Sequence, residues 1–231
     1  MVAGPEALTR ALTGAADGIR GAAAELAALD AVAGDGDLGI TAAKIADALE
    51  ETVKSGTQVP ADELLRRCGL AVAAAAPSSC GTLIASGFLR AAQHLASPPG
   101  PAGNGSAASP QARVAGALRT ALAAMAERGG TAVGDKSILD AIAPAVNSLE
   151  EADGADLRAA LAASAQAARE GAAATARLVP RAGRAAWLAD RSSGHVDAGA
   201  QLFACGWSGA VDALSARGRT GSTGWRAPNA S

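Results

Sequence analysis

Apolar residues recur at helical spacing along most of the chain. In the first segment, residues 6–28, the side chains near one helix face are Leu8, Leu12, Ile19, Ala23 and Leu26. The same spacing predicts seven further helices, at 40–54, 61–75, 83–95, 111–127, 138–151, 156–176 and 199–214. Pro77 favours an end of the third helix before it, because proline disfavours helical backbone in the preceding residue. Eight predicted helices indicate an all-α fold.

Polar, glycine-rich segments separate these helices. The longest, residues 97–110, cannot offset the entropy of ordering by burial, so we predict a solvated loop within one domain. That domain spans residues 1–214, and residues 215–231 are predicted to form a disordered tail. In an antiparallel helical bundle such loops can gather at one end and form a site there.

The composition narrows the kind of core and the class of partner. Hydrophobic residues make up 49% of the chain but aromatic residues only 2%, so close backbone packing must build the core. The net charge is −2 and there is no basic run, which disfavours nucleic acid as a partner. We expect no membrane span and no signal peptide, because the apolar stretches are too short. Three cysteines without metal spacing argue against a disulfide framework, and a reducing cytoplasm is the expected location.

Three aspartates, Asp30, Asp35 and Asp37, lie within eight residues of a glycine-rich segment. Glycine lets the backbone curl, so the three carboxylates can converge. A group of carboxylate oxygens with room for water suits a hard divalent cation such as Mg²⁺. An aspartate-rich helix cap explains the spacing equally well, because Asp and Gly are common between helices. The spacing alone leaves both interpretations open.

The segment PSSCGT, residues 77–82, precedes a predicted helix. Ser78 and Ser79 offer hydroxyl groups, and Gly81 permits a close approach to the backbone N–H groups. These groups suit phosphate oxygens, although an ordinary helix cap would use the same residues.

Two later polar segments interrupt a chain that is otherwise rich in alanine. In GDKS, Asp135 and Lys136 follow a glycine turn, where a solvated cap is the simpler interpretation. The second segment is residues 183–200, and its charged or titratable side chains are Arg184, Arg191, His195 and Asp197. A salt-bridged loop explains any one of these residues, but their clustering favours a site.

Taken in order, these segments resemble the nucleotide-binding L-type subunit of dihydroxyacetone kinases. The matching stretches are LDAVAGDGDLG, the SSCG turn, GDKSILDAIAPAV and GRAAWLADRSSGHVDAGA, which together extend over roughly residues 29–200. The resemblance implies an eight-helix antiparallel barrel with ADP or ATP bound by loops at one end. It also implies that Asp30, Asp35 and Asp37 coordinate two Mg²⁺ ions that bridge the nucleotide phosphates.

The resemblance also implies nucleotide contacts at further positions. At the start of the helix after the aspartates these are Leu38, Gly39, Ile40 and Thr41. The implied phosphate-cradling turn contains Ser79 and Cys80. The other implied contacts are Gly129, Ile138, Arg184, Asp197, Ala198 and Gly199.

Residues in three of these segments depart from the family pattern, and Thr41 and Ala42 also replace an Asn–Met pair of the family. Leu38 replaces a histidine, Cys80 replaces a serine, and Ala198 replaces a proline of the family. A thiol is a weaker hydrogen-bond donor than a hydroxyl group. The aspartates are retained, so the departures put nucleotide affinity and the acceptor in question rather than metal binding.

The resemblance implies a phosphotransferase that acts together with a separate K-type subunit, which binds a small keto-sugar. Either ATP donates the phosphoryl group, or a phosphotransferase-system protein rephosphorylates bound ADP; a homodimer also stays open. No catalytic residue is predicted on this chain, because neither His94 nor His195 adjoins a nucleophile in a triad-like setting. The alternatives are a regulatory module that senses nucleotide without catalysis, and a helical scaffold or lipid-binding bundle.

Overall fold

The structure, a computed structural model, describes residues 5–56, 59–97, 109–152, 154–181 and 189–216. These residues form α1 (Pro5–Gly21), α2 (Ala23–Ala33), α3 (Leu38–Ser55), α4 (Ala61–Ala75), α5 (Ser79–Ala96), α6 (Pro110–Gly129), α7 (Leu139–Glu151), α8 (Leu157–Ala174), α9 (Ala189–Ser192) and α10 (Ala198–Ser215). A single 3₁₀ turn, Thr175–Arg177, follows α8. Within the described ranges there is no β-strand, which confirms the all-α prediction. Most of the predicted 97–110 loop and nearly all of the predicted tail lie outside the described residues.

Eight helices form a closed ring in which each contacts its two neighbours. The order around the ring is α1, α3, α4, α5, α6, α7, α8 and α10, and α10 packs against α1 to close it. The helix α2 continues α1 after a break at Ala22 and packs against α3 and α10. Short connections make successive helices antiparallel, so every second connection lies at the same end of the barrel. The segments 34–37, 76–78 and 130–138 and the described residues 189–197 therefore meet at one end.

Small residues let α1 and α10 approach each other closely. A Cβ atom added at Gly18 would lie 2.5 Å from the carbonyl oxygen of Cys205, and Gly14 meets Gly209 in the same way one turn away. Backbone contact of this kind leaves no room for larger side chains. It supplies the close packing that a core with few aromatic residues requires.

Local capping explains where several helices begin. Ser78 accepts a hydrogen bond from the N–H of Gly81 and starts α5 at Ser79, four residues before the predicted start. Ser109, Asp156 and Asp197 cap α6, α8 and α10 in the same way. The first predicted helix also continues past residue 28, so Asp30 lies in the last turn of α2 rather than in a loop.

The interior of the barrel is apolar. Leu26, Ile45, Leu49, Leu64, Leu139, Ile142 and Leu149 are its largest fully buried side chains. A cavity of about 290 Å³ remains between the helices, lined by side chains that include Leu12, Ile84, Phe88 and Leu202. Within the described part of the chain, no helix is both long enough and apolar enough to cross a bilayer.

Candidate functional site

A cavity of about 600 Å³ opens at the end of the barrel where the glycine-rich segments meet. Its walls come from the end of α2, the first turns of α3, α5 and α10, the end of α6 and the segment before α7. Segments that are far apart in sequence therefore share one concave surface. Such a cavity, with both polar and apolar walls, is the usual form of a small-molecule site.

The three aspartates converge at the edge of this cavity. One carboxylate oxygen from each of Asp30, Asp35 and Asp37 lies within 4.8 Å of those of the other two. Asp30 is half-buried and accepts a hydrogen bond from the N–H of Leu38 at 3.3 Å, whereas Asp35 and Asp37 are exposed. Asp37 is the residue before α3 but makes no side-chain capping bond to it. The helix-cap interpretation therefore does not account for the Asp37 carboxylate, and the oxygen donors fit a Mg²⁺ ion.

Two glycines make this convergence possible. Gly36 has φ of +77°, which an L side chain rarely adopts. A Cβ atom at Gly34 would lie 2.6 Å from Oδ1 of Asp30. Any larger residue at Gly34 would thus push against one of the carboxylates it adjoins.

Helix starts line the cavity beside the aspartates. The first-turn N–H groups of a helix have no partner inside it, and they favour anions. Ser79 and Cys80 belong to that turn in α5. Leu38 and Thr41, in the first turn of α3, also line the cavity. The residue preceding α5, Ser78, uses its hydroxyl group as a cap, as the simpler interpretation expects.

The segment between α6 and α7 forms a second wall of the cavity. Asp140, which is buried, accepts hydrogen bonds from the N–H groups of Gly134 and Ser137. Lys136 lies between these two residues, in the left-handed region with φ of +62°. Burial lowers the pKa of its ammonium group, and the nearby Asp197 carboxylate partly opposes that effect.

The turn before α10 forms the third wall. Asp197 caps α10 by accepting from the N–H of Ala200 at 2.8 Å, and its own N–H donates to the hydroxyl group of Thr175 at 2.8 Å. Burial raises the pKa of Asp197 to about 6, with the nearby Asp140 carboxylate adding to the effect. Burial, with neighbouring carboxylates adding to the effect, likewise raises the pKa of Cys80 to about 12. The cavity therefore holds a neutral thiol beside several acids.

Most of the residues predicted from the sequence line this cavity. They are Asp30, Asp37, Leu38, Thr41, Ser79, Cys80, Gly129, Ile138, Asp197, Ala198 and Gly199. Asp35 joins them through the carboxylate cluster. Gly39 instead packs against α2 near Ala23 and Ala27, and Ile40 is 63% exposed. The predicted Arg184 lies outside the described residues.

Sequence reasoning missed several cavity-lining residues: Leu29, Val32, Ala33, Thr82, Leu83, Arg128, Thr131, Ser192 and Val196. Thr82 and Leu83 lie three and four positions after Ser79, so helical periodicity could have placed them on the same face. Val32 could not be found in that way, because the sequence predicted a loop where α2 continues.

The fold and the site define an all-helical barrel with an acidic, loop-built cavity at one end. The sequence profile of the DAK2 domain matches residues 32–212. The chain therefore belongs to the DAK2 domain family, the L-type domain of dihydroxyacetone kinases, which confirms the resemblance inferred from the motifs.

Named relatives agree with this assignment. The chain is 36% identical over 207 residues to the D-erythrulose kinase of Mycolicibacterium smegmatis, covering 87% of this chain and 34% of that protein. It is 34% identical over 210 residues to the L-erythrulose kinase of Pectobacterium atrosepticum, covering 89% of this chain and 34% of that protein. The chain spans about a third of the length of these curated relatives.

Solved structures share the fold. The native dihydroxyacetone kinase of C. freundii superposes with a TM-score of 0.68 at 27% identity, covering 89% of this chain and 34% of that one. The complex of the same enzyme with AMP-PNP and Mg²⁺ gives a TM-score of 0.67 at 26% identity, covering 89% and 33%. The helical barrel is therefore the L-type fold.

Proposed function

We propose that this chain is the Mg-nucleotide-binding subunit of a kinase that phosphorylates a hydroxyl group of a small keto-sugar. The observation that carries the proposal is the carboxylate cluster of Asp30, Asp35 and Asp37 at the edge of a cavity that helix starts also face. Acids beside helix N-termini suit a ligand that combines cations with phosphates. The AMP-PNP and Mg²⁺ complex of the structural neighbour supports the same ligand class.

In this proposal the three aspartates hold two Mg²⁺ ions, which would neutralise phosphate charge during transfer when bound. The first turns of α3 and α5 border the phosphate oxygens, with Thr41 and Ser79 contributing hydroxyl groups. Gly129, Ile138 and Leu83 line the part of the cavity that takes the base. Arg184 and the turn of Asp197 to Gly199 complete the predicted nucleotide contacts. Phosphoryl transfer depends on positioning and charge rather than on a covalent intermediate, so no nucleophile is needed here.

The acceptor is proposed to bind outside this chain, on a K-type subunit. About two thirds of each named relative lies outside the match, which leaves room in those proteins for a substrate-binding part. Their names make erythrulose and related short ketoses the first acceptors to test. The phosphoryl source is ATP or a phosphotransferase-system protein that acts on bound ADP, and either source implies a cytoplasmic location.

The binding proposal is tested with Asp35→Asn against a matched control, Asp212→Asn. Both changes remove one exposed carboxylate, but Asp212 lies near the C-terminal end of α10, away from the cavity. Loss of an outer-shell partner typically costs 10–100-fold in metal affinity. Loss of a direct ligand should therefore weaken Mg-ADP binding by about 100-fold or more in calorimetry. The control should bind as the wild type does, and undiminished binding in Asp35→Asn would sink the site assignment.

A phosphorylation assay with a K-type partner separates a kinase subunit from a regulatory module. Both hypotheses expect Mg-dependent nucleotide binding, abolished by a chelator. Only the kinase hypothesis expects phosphorylated dihydroxyacetone or erythrulose when a K-type partner and a phosphoryl donor are added. Binding without any product, across both phosphoryl sources, would favour the regulatory module.

A further inference from the structure

Lys136 combines two properties that are costly for a lysine. It is the one non-glycine residue with positive φ in the described part of the chain, and it is only 3% exposed. Left-handed backbone is sparsely populated by L residues and persists where the surroundings hold it. Lysine is almost never fully buried unless its charge is paired. The surroundings of Lys136 must therefore compensate for both properties.

The ammonium group meets this requirement through three backbone carbonyl oxygens. Nζ donates to Ser192 at 2.8 Å, to His195 at 2.8 Å and to Leu178 at 3.3 Å. An ammonium group has three N–H donors, so these contacts use all of them. The acceptors lie 42–59 positions away in sequence. One side chain thus connects the segment before α7 to both ends of the segment that precedes α10.

Both connected segments are walls of the nucleotide cavity. Ser192 and His195 line it, and the turn continues into Asp197 and the start of α10. On the other side, Lys136 is followed by Ser137 and Ile138, which also line it. The walls meet where Gly199 packs against Ile138, since a Cβ atom at Gly199 would lie 3.5 Å from Cβ of Ile138.

Other bonds also hold these segments. The N–H of Arg181 donates to the carbonyl oxygen of Asp135 at 3.1 Å, which joins the start of the segment before α10 to the 134–138 segment. The Asp140 carboxylate fixes the turn that contains Lys136. Gly194 donates its N–H to the carbonyl oxygen of Ala176, and Asp197 donates to Thr175. The Lys136 ammonium group adds the bonds from the 134–138 segment to Ser192 and His195 in the 192–197 turn.

We propose that Lys136 is a positioning residue for the nucleotide, because its ammonium group locks the 192–197 turn against the 134–138 segment. That the ligand is a nucleotide rests on the proposed function. The contact between Lys136 and the 192–197 turn is independent of that function. Loss of the ammonium group releases the 192–197 turn, and the cavity then no longer presents Asp197, Ala198 and Gly199 in the geometry that binds nucleotide.

The test compares Lys136→Met with Lys136→Gly and a control, Lys54→Met. Methionine removes the ammonium group but, like lysine, has a side chain, so the cost of the positive φ at this position stays. Glycine also removes the ammonium group, but it adopts positive φ without strain. This variant therefore tests the loss of the ammonium group if the methionine variant does not fold. Lys54 is exposed and pairs only with Glu50 on the surface of α3, so its loss reports the effect of removing any lysine.

The first measurement is amide hydrogen exchange without ligand. Bonds to a charged donor are strong enough that their loss should raise exchange across residues 192–197 by about tenfold or more. We expect this increase in both Lys136 variants and not in Lys54→Met, with exchange in α3 unchanged. Wild-type exchange at 192–197 in both folded Lys136 variants would overturn the lock.

The second measurement is affinity for Mg-ADP, alongside binding of Mn²⁺ to the aspartate cluster. Both Lys136 variants should bind Mg-ADP about tenfold or more weakly, while Mn²⁺ binding stays at the wild-type level. Faster exchange with unchanged Mg-ADP affinity would overturn the positioning role. A wild type that binds no Mg-ADP would refute the proposed function instead, and hydrogen exchange would still decide whether Lys136 locks the turn.

Discussion

The contact between α1 and α10 closes the barrel, and a pair of glycines three positions apart on α1 tests it. A Cβ atom at Gly18 would lie 2.5 Å from the carbonyl oxygen of Cys205, about 1 Å short of ordinary van der Waals contact. A Cβ atom at Gly21 would meet nothing within 4 Å. Gly18→Ala and Gly21→Ala therefore add the same methyl group to the same helix in opposite environments.

The expected magnitudes follow from these distances. Alanine in a helix is favoured over glycine by about 1 kcal/mol, and the gain at the helix end should be smaller. Overpacking costs about 1–3 kcal/mol, and the upper value applies at Gly18 because backbone rather than a flexible side chain must move. Gly18→Ala should thus lose about 2 kcal/mol of unfolding free energy, whereas Gly21→Ala should be neutral or slightly stabilised. For a domain of this size the loss corresponds to a Tm lower by about 4–8 °C.

Denaturant unfolding and a thermal scan of both variants measure this difference. The displacement should also reach the site, because the first turn of α10 contributes Ala198 and Gly199 to the cavity wall. Gly18→Ala should therefore weaken Mg-ADP binding, and Gly21→Ala should leave it unchanged. Equal stability of the two variants would show that α1 and α10 do not approach as closely as described.

Two further predictions concern titratable groups at the site. Because the pKa of Cys80 is about 12, this thiol should resist iodoacetamide at pH 8 in the folded protein and react once the chain is unfolded. Peptide mass spectrometry measures the alkylation of Cys80, and equal alkylation rates in the folded and unfolded protein would contradict the prediction. Asp197 binds its proton more tightly when folded, with a pKa of about 6 against 3.8, so its contribution to stability is lost as pH rises through that interval. Unfolding free energy of the wild type relative to Asp197→Asn should therefore fall between those pH values, and a flat difference would refute the shift.

The sequence by itself determined the class of fold and indicated most of the predicted residues that line the candidate cavity. Helical periodicity is a local property, so apolar spacing was sufficient to predict the eight helices of the ring. Asp30, Asp35 and Asp37 are also close in sequence, so their convergence could be expected from the glycines between them. Capping is equally local, and a cap at Ser78 was one of the two interpretations of its segment, although the apolar spacing predicts the start of α5 four residues too late.

Only the tertiary structure decided how the parts meet. Closure of the ring depends on backbone contact between α1 and α10, whose glycines are nearly two hundred positions apart and carry no local signature. The role of Lys136 depends on carbonyl groups 42–59 positions away, so GDKS alone resembled a solvated cap. The raised pKa values of Cys80 and Asp197 arise from burial, which is a property of the assembled cavity. Contacts between residues distant in sequence depend on the packing of whole helices, and for that reason the residue pattern within any one segment did not reveal them.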